Sequence, residues 1–190
     1  MSIKAATTPP KLVISSIEDA DRLMAGIQSA AARVHEWIAD AAKIGDPMAM
    51  LKHMKFDQVG FHPIAHHDLN LVEQINQTWT FVVAIAAARQ LLLLHPEAGG
   101  FHLAPGANSR QSHYDGKPLD IMSGVKNLVG AETFAAVDPN NNGKIEKDVA
   151  KLVGRPETYR YVFFMSPAYA GNARLKQFER DGVQVWSVDV

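Results

Sequence analysis

Two acidic residues in the second half of the chain have the types and surroundings that phosphate chemistry requires. Asp120 lies in the segment 118–122, and Glu132 lies in the otherwise apolar segment 128–137. An ionised carboxylate in an apolar segment is costly unless it is paired, hydrogen-bonded or bound to a cation. Two carboxylates on adjacent strands can share one hard divalent ion, which activates a water and stabilises negative charge on a phosphate. The pair therefore predicts a Mg²⁺ or Mn²⁺ site, and the alternative is an Asp in a turn with a Glu pointing out of a sheet edge.

Short apolar runs, separated by Gly, Pro and Asn clusters, indicate the strands that would position these carboxylates. The predicted strands after Gly100 are 101–105, 118–122, 128–137, 159–165 and 183–190. Helices are predicted at 144–153 and 171–180. The run 159–165 is apolar on both alternating faces, which indicates a central strand covered on both sides. The sequence therefore predicts an α/β core in which one long helix precedes three strands, a helix, a strand, a further helix and a last strand.

The first half of the chain has helical patterns. Ser16 can cap a first helix that ends near the breaker at 45–47, and a short helical segment follows at 48–54. Asp68 offers a cap for a long buried helix over 69–95. The apolar stripe predicted for the first helix consists of Leu23, Ile27, Ala31, Val34 and Ile38. We therefore predict two parts, a leader and helical arm at 1–67 and an α/β core at 68–190.

The order of these elements, with LDIMS on the second strand and GAETFAAV on the third, resembles the core of the PD-(D/E)xK nuclease-like superfamily. The resemblance covers residues 68–165. In that family an Asp begins the second strand and a Glu-x-Lys motif lies on the third, and Asp120 and Glu132 take those positions. Glu73 lies where some members carry an additional acidic ligand. The resemblance implies a restriction-endonuclease-like core (helix, three strands, helix, strand) with an N-terminal helical arm, and Mg²⁺ or Mn²⁺ held by these three carboxylates.

The chain departs from the family at the lysine of the motif, where it has Phe134. Phenylalanine can neither orient a water nor offset developing charge. Some members of the superfamily carry the basic residue on the following helix, which makes Lys144 and Lys147 the candidates. Lys147 is preferred because it lies further into the helix. Other members have lost the lysine and catalysis together.

Charge and composition limit the partners. The chain of 190 residues has 19 basic and 20 acidic side chains and a net charge of −1, which argues against strong non-specific attraction to nucleic acid. A local patch could still bind, and Arg110 and Lys117, in or beside the loop 105–116, could contact phosphate. The absence of cysteine excludes thiol nucleophiles, zinc fingers and iron–sulfur clusters.

Two functions follow as expectations from the resemblance. The first is a metal-dependent phosphodiesterase (nuclease) acting on DNA or RNA, with Asp120 and Glu132 as ligands and Lys147 or Lys144 stabilising the transition state. The second is a non-catalytic nuclease-fold protein that serves as a nucleic-acid or protein-binding partner. An α/β scaffold unrelated to nucleases remains a third reading.

The longest apolar run, 81–94, is interrupted by Arg89 and Gln90 and is shorter than the ~20 residues that a membrane span needs. We therefore expect a cytoplasmic protein without a membrane partner. The apolar N-terminal helices, especially residues 30–44, predict a possible homodimer face.

Overall fold

The computed structural model describes residues 12–106 and 118–190, and these form a mixed α/β structure built on a seven-stranded sheet. The helices are α1 (Ile17–Ala41), α2 (Pro47–Phe56), α3 (Leu71–Leu94) and α4 (Lys144–Leu152). The strands are β1 (Leu12–Ile14), β2 (Gly60–Phe61), β3 (Asp68–Leu69), β4 (Phe101–Leu103), β5 (Ile121–Ser123), β6 (Val129–Ala135), β7 (Tyr159–Met165), β8 (Ala173–Arg174) and β9 (Val183–Ser187).

The large sheet has the strand order β1-β4-β5-β6-β7-β9-β8 and mixes two pairing directions. Strands β6, β7 and β9 are parallel, whereas the β1–β4, β4–β5, β5–β6 and β8–β9 pairs are antiparallel. Parallel neighbours need a crossover connection, and α4 supplies it between β6 and β7. The predicted α/β class and the five predicted strands after Gly100 are therefore confirmed.

Helices α3 and α4 cover opposite faces of the central strands. Alternate residues of a strand point to opposite faces, so β6 and β7 each contribute to two apolar clusters. The cluster on the α3 face includes Val129, Ala131, Tyr161 and Phe163. The cluster on the α4 face includes Phe134, Val162, Phe164, Ile145, Val149 and Leu152. The prediction that 159–165 is a central strand covered on both sides is confirmed.

Strand β1 lies within the range predicted to be a leader and helical arm, yet it pairs with β4 and extends the large sheet. Helix α1 packs against α3. The boundary predicted at residue 67 stays a prediction. Of the predicted stripe of α1, Ile27 is buried whereas Ala31 and Ile38 are exposed. No residue of α2 is buried, and the homodimer through the N-terminal helices stays a prediction.

The long helix begins two residues later than predicted. Asp68 was expected as its cap, but Asp68 and Leu69 form β3 and pair with β2. The cap is Asn70, whose side chain accepts a hydrogen bond from the backbone N–H of Glu73. Asp68 and Leu69 pair with β2 and are therefore not part of the helix. The predicted cap at Ser16 is confirmed, since its hydroxyl accepts from the N–H of Asp19.

The helix predicted at 171–180 is wrong. Gly171 has a φ of 83°, which right-handed helix excludes, and the following residues form β8 on the edge of the sheet beside β9. A single 3₁₀ turn at Lys176–Phe178 is the helical structure in this segment. Edge pairing satisfies backbone groups that an isolated ten-residue helix would expose, which explains the difference.

Among the described residues, α3 is long and apolar enough to cross a membrane by length and composition, and 44% of its apolar window is buried. Most buried residues of α3 belong to the same apolar cluster as residues of the sheet strands. Packing against the sheet therefore accounts for the apolar composition of this helix. The cytoplasmic location and the absence of a membrane partner stay predictions.

Candidate active site

The structure brings Asp120 and Glu132 together across two antiparallel strands. In the β5–β6 ladder Ile121 pairs with Ala131 and Met122 with Gly130, so continuing the register by one pair sets Asp120 opposite Glu132. Directly opposed residues have Cβ atoms ~5 Å apart. Position 132 alternates with the residues that face α3, so its carboxylate lies on the α4 face. The two predicted carboxylates therefore lie side by side where β5 begins.

Asp120 is fixed by its neighbour on β6. Its Oδ2 atom accepts two hydrogen bonds from Thr133, one from the backbone N–H at 2.8 Å and one from the hydroxyl at 3.1 Å. Its Oδ1 atom accepts a longer bond of 3.4 Å from the N–H of Gly106. Because Oδ2 is held from β6, the carboxylate keeps one orientation beside Glu132.

Glu132 is nearly buried, with 4% of its surface exposed. Lys151 of α4 places its Nζ atom 2.7 Å from Oε1 of this carboxylate. Burial, and after it the charge of Asp120, raises the pKa of Glu132 to about 7, although Lys151 acts in the opposite direction. Ionising this carboxylate is therefore costly, and a cation beside it would stabilise the ionised form.

Lys151 is one of two site residues that the sequence analysis missed. The basic residues predicted to stabilise the transition state were Lys144 and Lys147, but Lys147 is exposed on α4, and Lys144 donates to Asp148 at 2.7 Å. The signal was present in the sequence, because Lys144, Asp148 and Lys151 follow the i, i+4, i+7 spacing of one helical face. The basic group beside Glu132 therefore comes from the last turn of α4.

Phe134, at the position predicted for the lysine of the motif, belongs to the core on the α4 face. It is 8% exposed, and its ring stacks on Phe164 with centroids 5.5 Å apart. The Nζ atom of Lys144 lies 5.3 Å from the Phe134 ring centroid. A phenylalanine here packs against α4, and the cations approach the site from that helix instead.

Asp148 adds a third carboxylate that the sequence analysis also missed. It is 5% exposed, its Oδ1 atom accepts from Lys144, and its Oδ2 atom is buried without a hydrogen-bond partner. Burial raises its pKa, and the charge of Asp120 acts in the same direction. The carboxylates of Asp148 and Asp120 therefore repel each other electrostatically. Negative charge accumulates between β5, β6 and α4.

One of the predicted site residues is not brought to this place. Glu73 is exposed in the first turn of α3, the helix that covers the opposite face of the sheet, and its N–H is used by the helix cap. Arg110 and Lys117 lie outside the described residues.

The residues present fit a hard divalent ion held by two carboxylates. Within 12–106 and 118–190, no three His, Cys, Asp or Glu side chains are arranged to hold a metal. Mg²⁺ needs fewer, since it keeps several waters and takes one or two carboxylates. The unpartnered Oδ2 of Asp148 and the raised pKa of Glu132 both indicate negative charge that such an ion would compensate.

Comparison of the chain with family models, with curated proteins and with solved structures gives no match. The chemistry of the site is therefore inferred from its own residues.

Proposed function

We propose that this chain is a metal-dependent phosphodiesterase, a nuclease, on a restriction-endonuclease-like core. The observation that supports it most is the meeting of Asp120, Glu132 and Lys151, two carboxylates and one ammonium from three consecutive elements. The order α3, β4, β5, β6, α4, β7 also agrees with the helix, three strands, helix and strand of that core.

In this proposal Asp120 and Glu132 hold Mg²⁺ or Mn²⁺, which supplies Lewis-acid stabilisation and a nucleophilic water when bound. Thr133 keeps Asp120 oriented through its two hydrogen bonds. Lys151 is 37% exposed at its side chain, so its ammonium can reach solvent from the edge of the site. There it offsets the charge that builds on the phosphate as the P–O bond to the leaving oxygen breaks.

The substrate of this proposal is DNA or RNA. Helix α4 carries Lys144 and Lys151 beside the carboxylates, and the exposed Lys147 of the same helix suits contact with a backbone phosphate. The predicted phosphate contacts of Arg110 and Lys117 belong to the same proposal. Because the net charge is −1, binding depends on this local patch and weakens with added salt.

The alternative is a non-catalytic protein of the same fold that binds nucleic acid or protein. Phe134 at the position predicted for the lysine favours it, because phenylalanine can neither orient a water nor offset developing charge. The ion pair between Lys151 and Glu132 favours it as well, since the ammonium already neutralises the buried carboxylate.

Cleavage of labelled double-stranded DNA, single-stranded DNA and RNA with Mg²⁺ or Mn²⁺ tests the proposal. Wild type is compared with Asp120→Asn and Glu132→Gln, and Glu146→Gln is the matched control because Glu146 is an exposed carboxylate on α4. Cleavage that is lost in the first two variants and kept in the control supports the nuclease. Binding of nucleic acid without cleavage in wild type supports the non-catalytic alternative instead. Equal cleavage by all four proteins contradicts the proposed site.

A further inference from the structure

A recess lies at the ends of the parallel strands, away from the carboxylates. A cavity of about 620 Å³ opens where β6, β7 and β9 end. Helix α3 forms one wall, and the segments that follow the three strands form the other. Its lining residues are Asn76, Trp79, Thr80, Ala135, Ala136, Val137, Met165, Ser166, Pro167, Ala170, Val188 and Asp189. Cavities of ~300–1,000 Å³ accept small molecules or single building blocks of a polymer, and crevices beyond the carboxyl ends of strands are a recurrent place for them.

One wall of the cavity presents an aromatic ring with polar groups beside it. Asn76, Trp79 and Thr80 are three and four residues apart and therefore share one face of α3. Trp79 is 45% exposed, although most residues of the following two turns of α3 are buried. A half-exposed indole beside an amide and a hydroxyl offers a stacking surface with neutral hydrogen-bonding groups at its edge.

The opposite wall is fixed by hydrogen bonds between the loops. The Ser166 hydroxyl donates to the carbonyl of Val137 at 3.0 Å, which ties the end of β7 to the end of β6. The Oδ2 atom of Asp189 accepts from the N–H of Gly171 at 3.2 Å, which ties the end of β9 to the loop after β7. The recess is therefore formed before a ligand arrives.

The charge of the lining excludes an anionic ligand. Asp189 is the charged residue among the described side chains that line the cavity, and no Lys, Arg or His lines it there. A phosphate would meet repulsion in this recess, whereas an uncharged planar ring would stack on Trp79 and hydrogen-bond at its edge. Nucleobases are uncharged planar rings with such edges.

We infer that this cavity binds one unstacked nucleobase of a nucleic-acid strand, and the inference rests on the proposed function. Ala135 lies three residues after Glu132 on β6, which separates the cavity from the carboxylates by ~10 Å along the strand. Glu132 faces α4 and the cavity faces α3, so the bound strand passes over the C-terminal edge of β6. Phosphates then meet the α4 lysines and a base enters the recess.

The test uses a short oligothymidylate and a chain of abasic residues of the same length, in buffer with a chelator so that no cleavage occurs. Quenching of tryptophan fluorescence and the dissociation constant are measured for wild type, Trp79→Phe, Trp79→Ala and Ala170→Leu; quenching that is present in wild type and absent in Trp79→Phe is assigned to Trp79. Leu93→Ala is the control, because Leu93 is exposed at the other end of α3. The expected result is that the oligothymidylate quenches Trp79, that Trp79→Ala and Ala170→Leu weaken binding about tenfold, and that Trp79→Phe and Leu93→Ala bind as wild type does.

Equal affinity for the abasic chain, or unchanged affinity in Trp79→Ala and Ala170→Leu, would overturn the base pocket. The proposed function fails separately, through the absence of cleavage in Mg²⁺ or Mn²⁺. Saturable quenching without cleavage would keep the pocket and favour the non-catalytic alternative.

Discussion

The ammonium of Lys151 lies 2.7 Å from the buried carboxylate of Glu132, which joins the last turn of α4 to the centre of β6. This contact places a lysine next to Glu132, although the position predicted for the lysine of the motif holds Phe134. It also means that Glu132 has a resident counter-charge before any divalent ion binds. In the proposed function, a divalent ion and Lys151 would therefore compete for one carboxylate.

Replacing Lys151 by methionine is expected to tighten the binding of a divalent ion, because the competing ammonium is gone. It should also slow any cleavage, because the ammonium that is proposed to offset the charge on the phosphate is gone. We expect an increase in Mn²⁺ affinity of about tenfold or more, measured by calorimetry. Lys147→Met, on the solvent side of α4, should leave the affinity unchanged. Weaker Mn²⁺ binding in Lys151→Met would show that the lysine supports the ion rather than competing with it.

The raised pKa of Glu132 makes the stability of the fold depend on pH. Its pKa rises from 4.5 to about 7 on folding, so the folded state binds the extra proton and is favoured at low pH. This contribution is present below pH 4.5 and is lost as the pH rises to about 7, with an upper magnitude of about 3 kcal/mol. The free energy of unfolding of wild type relative to Glu132→Gln should fall by up to that amount between these pH values. A difference that stays constant with pH would mean that Glu132 ionises normally.

A lysine introduced at position 134, where the resemblance predicts one, should destabilise the fold and not complete a site. Phe134 is packed between Phe164 and α4, so Phe134→Lys would bury an ammonium in an apolar cluster. We expect a loss of on the order of 3 kcal/mol in the free energy of unfolding, measured by chemical denaturation. Phe134→Leu keeps the apolar character and should lose about 1 kcal/mol. Similar stability of the two variants would indicate that the side chain at 134 can leave the core.

Thr133 is expected to matter through Asp120. Thr133→Val removes the hydroxyl that donates to Oδ2 of Asp120 at 3.1 Å and keeps the side-chain shape. The loss of one hydrogen bond to a charged group should lower the free energy of unfolding by about 1–2 kcal/mol and weaken Mn²⁺ binding several-fold. Thr158→Val, at an exposed threonine, should change neither quantity. Unchanged Mn²⁺ binding in Thr133→Val would show that the backbone N–H alone orients Asp120.

The sequence predicted the elements whose signal is local. Helix α4 and strands β6 and β7 follow from their apolar periodicity and from the breakers that bound them. The opposition of Asp120 and Glu132 could be expected from the order of the strands, because one hairpin register fixes it.

Other features depend on contacts between distant segments and could not be predicted in that way. The pairing of β1 with β4, and of β8 with β9, is decided by which edges of the sheet are free. The choice of Lys151 over Lys147 is decided by how α4 is rotated on the sheet, which buries Ile145, Val149 and Leu152. The helical spacing of Lys144, Asp148 and Lys151 was visible in the sequence, but the direction of that face was not.

The most direct measurement is a calorimetric titration of Mn²⁺ into wild type, Asp120→Asn, Glu132→Gln and the control Glu146→Gln at about pH 8, where Glu132 is ionised. The account predicts one ion per chain in wild type and in the control, and no saturable binding in the other two variants. Saturable binding that persists in Asp120→Asn and Glu132→Gln, or an absence of binding in wild type, would contradict the claim that this carboxylate pair is a divalent-cation site.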